Sequence, residues 1–254
     1  MEKISLSILL LVLFFNAGCK EEENIPVSCV GIHFEYEGEH GPSHWGELCE
    51  GYSSCDGTVQ SPIDIVGATV DNTLSAINHT YTTSATHMLN NGHTVQFTYD
   101  SGSSITLNGS TYNLLQFHFH TASEHHVGGA SYPMEVHLVH KDDVTGNLAV
   151  IGILFEEGAE NPLLQTFLSH LPQAEDDTYE AADTYDVSSF LPADTHYYTY
   201  SGSLTTPPCS EIVTWIVMKE PIVASLEQVH AFEDIMHENN RPVQDLHGRS
   251  IREF

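Results

Sequence analysis

Two short stretches, "LLQFHFH" (114–120) and "MEVHLVH" (134–140), set histidines into alternating apolar and polar sequence. Alternation with period two is the pattern of a β-strand, in which residues i and i+2 share a face. Phe117 and Phe119 therefore point one way and Gln116, His118 and His120 the other. In the second stretch Val136 and Leu138 oppose Glu135 and His137 in the same way. If the two strands are neighbours, three imidazoles converge on one point. Three neutral imidazoles suit a divalent transition metal. Zinc held by three histidines with a fourth position open is the catalytic arrangement, whereas structural zinc sites are closed and commonly cysteine-rich. Gln116 and Glu135 each stand two residues before a histidine on its own face, where an acceptor can hold the ring nitrogen that the metal does not take.

The rest of the chain has a similar texture. Runs such as "HTVQFTY" (93–99) and "LAVIGILF" (148–155) are separated by turn-forming stretches such as "DSGSS" and "DDVTGN". The run 148–155 is apolar throughout, as in a strand buried on both faces. Helical spacing is confined to "NPLLQTFLSHL" (161–171) and "SLEQVHAFEDIMH" (225–237), the second with Ser225 and Gln228 in capping-box positions. The pattern predicts a mainly β (α+β) fold, a mostly antiparallel sheet with short peripheral helices. A chain of 254 residues can build this as one domain, expected over 29–254.

Seven basic residues face 35 acidic ones, a net charge of -28, and the resulting field repels phosphate backbones and anionic headgroups. Nucleic acid is thereby excluded as a partner. At the N-terminus, Lys3, the apolar run "ISLSILLLVLFF" (4–15) and "NAGC" (16–19) form an export signal over 1–18, too short for a comfortable membrane span. Cys19 resembles the lipidated cysteine of a bacterial lipobox, and "KEEEN" (20–24) resembles an acidic cell-surface signal. Residues 19–28 are then a lipid-anchored or flexible tether. The expected location is the periplasm or cell surface, on the outer membrane of a Gram-negative bacterium, with plain secretion if Cys19 is incidental. Membrane contact would come only through that anchor. Export implies an oxidising compartment. Cys29, Cys49, Cys55 and Cys209 then remain, and their residues alone leave all three pairings open.

From about residue 32 onward the chain resembles the α-class carbonic anhydrases, in particular their exported bacterial branch. The resemblance rests on "GPSHW" (41–45), "QSPIDI" (60–65), "LNNGHTVQF" (89–97), the two histidine strands, "SEH" (123–125), "LAVIGI" (148–153), "YTYSGSLTTPPCSEIVTWIV" (198–217) and "NNRPVQ" (239–244), in the family's order and spacing. It implies a large twisted central sheet with zinc at the bottom of a conical cleft. It also implies the reversible hydration of carbon dioxide to bicarbonate and a proton by zinc-bound hydroxide.

By the same resemblance His118, His120 and His137 hold Zn2+, and Gln116 and Glu135 stand behind them. The backbone carbonyl of residue 239 receives the third ligand's N–H, with a side chain of little consequence. Thr205 accepts a hydrogen bond from the hydroxide and passes its own proton to Glu124, with Thr206 beside it at the cleft wall. Val139, Val150, Leu204, Val213 and Trp215 form the carbon dioxide pocket. His93 is the proton shuttle, and Tyr36, Asn91 and Asn90 order or adjoin the bridging waters, although Asn91 and Gly92 also read as a turn. Cys55 and Cys209 match a disulfide, which leaves Cys29 and Cys49 over. A homodimer is compatible with the family. Thr121 departs from the tryptophan of animal members, His125 resembles a structural histidine, and His126 and His140 match no role. Two rivals are a non-catalytic carbonic-anhydrase-like binding protein and a zinc-sequestering surface lipoprotein. The first would have lost a zinc histidine and the second would carry a histidine-rich tract; all three histidines are present, and the 17 histidines form no tract.

Overall fold

The alternating segments become strands throughout the computed structural model, which describes residues 29–254; the expected signal peptide (1–18) and tether (19–28), with Cys19, lie outside the described residues. In chain order the strands are β1 (Asp64–Ile65), β2 (Thr69–Val70), β3 (Asn78–Thr80), β4 (Ser84–Asn90), β5 (Val95–Thr98), β6 (Ser104–Leu107), β7 (Ser110–His120), β8 (His126–Val127), β9 (Met134–Lys141), β10 (Leu148–Glu157), β11 (Thr178–Tyr185), β12 (Tyr197–Gly202), β13 (Val213–Met218), β14 (Ile222–Ala224) and β15 (Arg252–Glu253). Among the described residues three short α-helices accompany them, α1 (Trp45–Leu48), α2 (Pro162–Phe167) and α3 (Leu226–Met236), with a few 3-10 turns between.

Thirteen strands form one sheet with the main path β11-β4-β5-β7-β9-β10-β13-β12-β15-β2. Every pair on that path is antiparallel except β10 with β13 and β15 with β2. The mostly antiparallel sheet read from the sequence is therefore present, with β10 at a point where the direction changes. That position explains the unbroken apolar run: β10 has neighbours on both sides and is buried from Ala149 to Phe155.

Strand alternation sorts the side chains into two layers. On one face Phe97, Phe117, Phe119, Val136, Leu138, Ile151 and Ile153 form the main core under α2 and α3. Phe167 of α2 meets the Phe97 ring at 4.7 Å, and Phe232 of α3 meets Phe119 at 4.6 Å. Each such side chain contributes about 1.5–3 kcal/mol on burial. The other face carries the three histidines and a second cluster that includes Val139, Val150, Val213 and Trp215. A bulge between Leu114 and Gln116 shifts the β7–β9 register. It puts Leu114 in the main core although its position number has the parity of the histidines.

Both expected helices form. The capping box of α3 is complete, Ser225 receiving the N–H of Gln228 and Gln228 reaching back to Ser225. Gln228 also exchanges hydrogen bonds with the backbone of Asn161, the N-cap of α2, so one polar side chain ties the two helix starts together. Cys29 is bonded to Cys49 and Cys55 to Cys209. Two disulfides suggest an oxidising, exported environment. Among the described residues no helix is long and apolar enough to cross a membrane.

Candidate metal centre

β7 and β9 are antiparallel neighbours, and His118 stands directly opposite His137. The ring centroids of His118, His120 and His137 lie 4.6–5.3 Å apart, and one nitrogen of each lies within 4.8 Å of the others. The remaining nitrogens are all held. His118 Nδ1 donates to Gln116 Oε1 at 2.9 Å, His120 Nδ1 to the Asn239 carbonyl at 2.8 Å, and His137 Nε2 to Glu135 Oε1 at 2.9 Å. Because these partners accept, each tautomer is set, and three lone pairs are left facing one space.

Burial holds these imidazoles neutral. It lowers His120 to about 4 and His137 below the usual range, and His118 falls well below it through burial and the two neighbouring rings. His120 Nε2 is buried without a hydrogen-bond partner, 3.5 Å from Glu124 Oε2. An orphaned buried lone pair beside two others fits a divalent cation, and an all-imidazole donor set fits zinc.

Glu135 anchors the centre from behind. Besides His137 it receives His125 Nδ1 at 2.8 Å and the backbone N–H groups of Glu124 and His125 at 2.9 and 2.8 Å. Burial works to raise its carboxyl, but the two imidazoles prevail and hold it well below the usual range. The structural reading of His125 thus acquires a contact, since the ring links Glu135 to the Tyr200 hydroxyl at 2.7 Å.

Thr205 and Glu124 lie beside the histidines, both buried. Burial pushes the Glu124 carboxyl up to about 7, against the opposing pull of His137 and of the Arg241 backbone N–H, which reaches Oε1 at 2.9 Å. The Thr205 hydroxyl also acts on this carboxyl, yet Glu124 Oε2 has no well-formed hydrogen bond. The expected pocket residues form one apolar wall: Val150 is paired with Val139 on one side and Trp215 on the other, Val213 is buried with them, and Leu204 packs against the cluster. Thr206, half-buried, follows Thr205.

His93 faces a cleft of about 970 Å³ whose walls include Phe34, Tyr36 and α3. Phe34 stacks on its ring at 3.9 Å, and Tyr36 meets it edge-on at 6.3 Å. Burial lowers the His93 imidazole, Glu175 raises it, and His33 lowers it further. Asn91 Oδ1 receives the N–H groups of His93 and Thr94, and Asn90 Oδ1 that of Gly92, so both side chains close the turn that presents His93.

A family model described as eukaryotic-type carbonic anhydrase matches residues 40–254. The chain belongs to the α-class carbonic anhydrases. A carbonic anhydrase of Klebsiella pneumoniae is 44% identical over 233 residues, covering 90% of this chain and 94% of its own. Among solved structures, a hyperthermostable carbonic anhydrase from a hydrothermal vent chimney superposes with TM-score 0.84 at 45% identity, over 87% of this chain and 100% of its own. The α-carbonic anhydrase of Thermovibrio ammonificans, solved with the inhibitor sulfanilamide, gives 0.84 at 42% identity, over 87% and 99%. Family and relatives support carbon dioxide hydration as the activity, with carbon dioxide and bicarbonate as substrates, and the family is zinc-dependent.

Several parts of this carbonic anhydrase site were not legible as such in its sequence. The side chain of Asn239, expected to be of little consequence, is fully buried: it accepts the N–H of Thr121 at 2.9 Å and donates to the carbonyls of His93 and Phe119 at 3.0 Å. It thus ties the turn that presents His93 to β7, while its backbone carbonyl holds His120. Arg241 is buried and bonded to Gln60, Ser61 and Cys55 as well as to Glu124. His140, which matched no role, is buried against the Tyr81 hydroxyl at 2.9 Å. These contacts join segments far apart in the chain, and no local pattern marks them.

Proposed function

We propose that this carbonic anhydrase hydrates carbon dioxide at a zinc ion held by His118, His120 and His137. The observation that carries the reading is the convergence of three neutral imidazoles, each with its far nitrogen held by an acceptor and one with a buried, partnerless Nε2. Zinc there would supply the acidity that makes a water a nucleophile near neutral pH.

The chain's own groups account for the rest of the reaction. Thr205 accepts a hydrogen bond from the attacking oxygen and turns its own proton to Glu124, which orients the nucleophile and disfavours anions that cannot donate. The wall of Val139, Val150, Leu204, Val213 and Trp215 receives the apolar substrate, and Thr206 lies at its edge. Carbon dioxide and water become bicarbonate and one proton. His93 takes that proton across waters ordered near Tyr36, Asn90 and Asn91 and releases it to buffer at the cleft mouth, a task suited to an imidazole whose ordinary pKa is about 6.5. Residues 1–18 direct export, Cys19 carries lipid and 19–28 form a tether, placing the domain 29–254 at the cell surface or in the periplasm.

The test is carbon dioxide hydration before and after removal of metal by a chelator, followed by zinc add-back. Activity lost on chelation and restored at one zinc per chain supports the reading. Full activity in the metal-free protein contradicts it.

A further inference from the structure

Ser203, two residues before Thr205, is joined to Ser61 by a reciprocal pair of hydrogen bonds: the Ser61 N–H donates to Ser203 Oγ at 3.0 Å, and the Ser203 N–H donates to Ser61 Oγ at 3.1 Å. Both residues are fully buried. Two longer chains of contacts end at this pair. One begins at the metal centre and runs His137 to Glu135 (2.9 Å), Glu135 to His125 (2.8 Å), His125 to the Tyr200 hydroxyl (2.7 Å) and Tyr200 to Ser61 Oγ (3.0 Å).

The other begins at Arg241. Its backbone N–H holds Glu124, while its Nη1 donates to the Ser61 carbonyl and to Gln60 Oε1, each at 2.8 Å. Gln60 in turn donates to the Cys209 carbonyl at 3.2 Å, on the far side of Thr205. The buried guanidinium donates to three neutral oxygens, Gln60 Oε1 and the Ser61 and Cys55 backbone carbonyls, the last at 3.0 Å. The Trp45 ring, 5.4 Å from the guanidinium carbon, and the charges of Glu124 and Asp56 offset part of the cost of burying this cation. The backbone also makes room here: a Cβ on Gly202 would lie 2.1 Å from Ser61 Oγ.

We propose that Ser61 is a positioning residue for hydration, fixing the Thr205 hydroxyl relative to the metal ligand His137 by joining the two chains at Ser203. The proposal rests on the reading of Thr205 given above. As a positioning residue for Thr205, Ser61 should lose its effect on the reaction when the Thr205 hydroxyl is absent.

The experiment is a double-mutant cycle on the zinc-loaded enzyme with Ser61→Ala, Thr205→Ala and the pair. Ser61→Ala should lower kcat/KM by about tenfold, at the low end for residues that orient a site from behind, with one zinc still bound per chain. In the Thr205→Ala background the same substitution should change kcat/KM less than about twofold. Equal losses in both backgrounds would show a merely structural role and overturn the proposal, as would wild-type kcat/KM in Ser61→Ala. A Thr205→Ala enzyme with wild-type kcat/KM would instead overturn the reading of Thr205 itself. If Ser61→Ala does not fold, Ser203→Ala, which removes the Oγ that accepts from the Ser61 N–H and donates to the Leu204 carbonyl, enters the same cycle with the same criteria.

Discussion

Gly152 lies directly across the β9–β10 pair from His137, and a Cβ at Gly152 would stand 2.7 Å from Glu135 Oε1. The gap in β10 therefore houses the carboxylate that holds His137, one of the proposed zinc ligands. Gly152→Ala should displace Glu135, weaken zinc affinity by about 10- to 100-fold and lower stability by about 1–3 kcal/mol through overpacking. Competition titration against a chromogenic chelator measures the first effect, and wild-type affinity would contradict this role of the gap.

His93, stacked on Phe34 at the cleft wall, is the group at which the proposed function predicts that proton export separates from chemistry. His93→Ala should lower kcat by at least about tenfold while kcat/KM stays near wild type, and added imidazole should restore part of the loss. Equal falls in both parameters with no response to buffer would remove His93 from proton transfer.

The sheet and the cluster of three histidines were legible because both depend on period-two alternation, which needs no knowledge of the partner strand. His118, His120 and His137 share a face by counting, and only the pairing of β7 with β9 had to be supplied. The α3 start was legible for a similar reason, its capping box being local to Ser225 and Gln228. Arg241, Ser61 and the Asn239 side chain were not: their contacts reach across 100 residues or more, and nothing in "NNRPVQ" or "QSPIDI" says what the fold will bring near. Leu114 shows the limit of counting, since one bulge moves it to the opposite layer.

The covalent framework bears on stability more than on metal binding. The Cys55–Cys209 bridge spans 154 residues and ends four positions past Thr205. The chain-entropy account gives about 4–5 kcal/mol for such a loop. At about 2–4 °C per kcal/mol for a domain of this size, Cys55→Ser with Cys209→Ser should lower Tm by roughly 10 °C or more. Zinc should remain bound, because the proposed ligands sit on β7 and β9. An unchanged Tm, or loss of zinc from the folded variant, would contradict this division of labour.

At the sheet edge His87 on β4 lies between Glu180 of β11 and Asp100. The hydrogen bond to Glu180 raises its pKa, burial opposes this less strongly, and the charges of Glu180 and Asp100 add to the rise. A raised folded-state value means that the contact stabilises fully below the ordinary imidazole pKa of about 6.5 and is lost as pH climbs through the elevated value. The Tm difference between wild type and His87→Gln should be small, as for exposed pairs generally. It should be present at about pH 5.5 and close by about pH 9. A difference that grows with pH would reverse the assignment.

If three strand-borne imidazoles hold the catalytic metal, removing one should remove both zinc and activity, and His118, half-buried where His120 and His137 are fully buried, is the ligand to replace by alanine. Zinc content and carbon dioxide hydration are measured together on the purified, folded variant and on wild type. Wild type should hold one zinc per chain and hydrate fully, and His118→Ala should bind zinc much more weakly and show no hydration above background. Stoichiometric zinc with near-wild-type hydration in the variant would contradict this assignment.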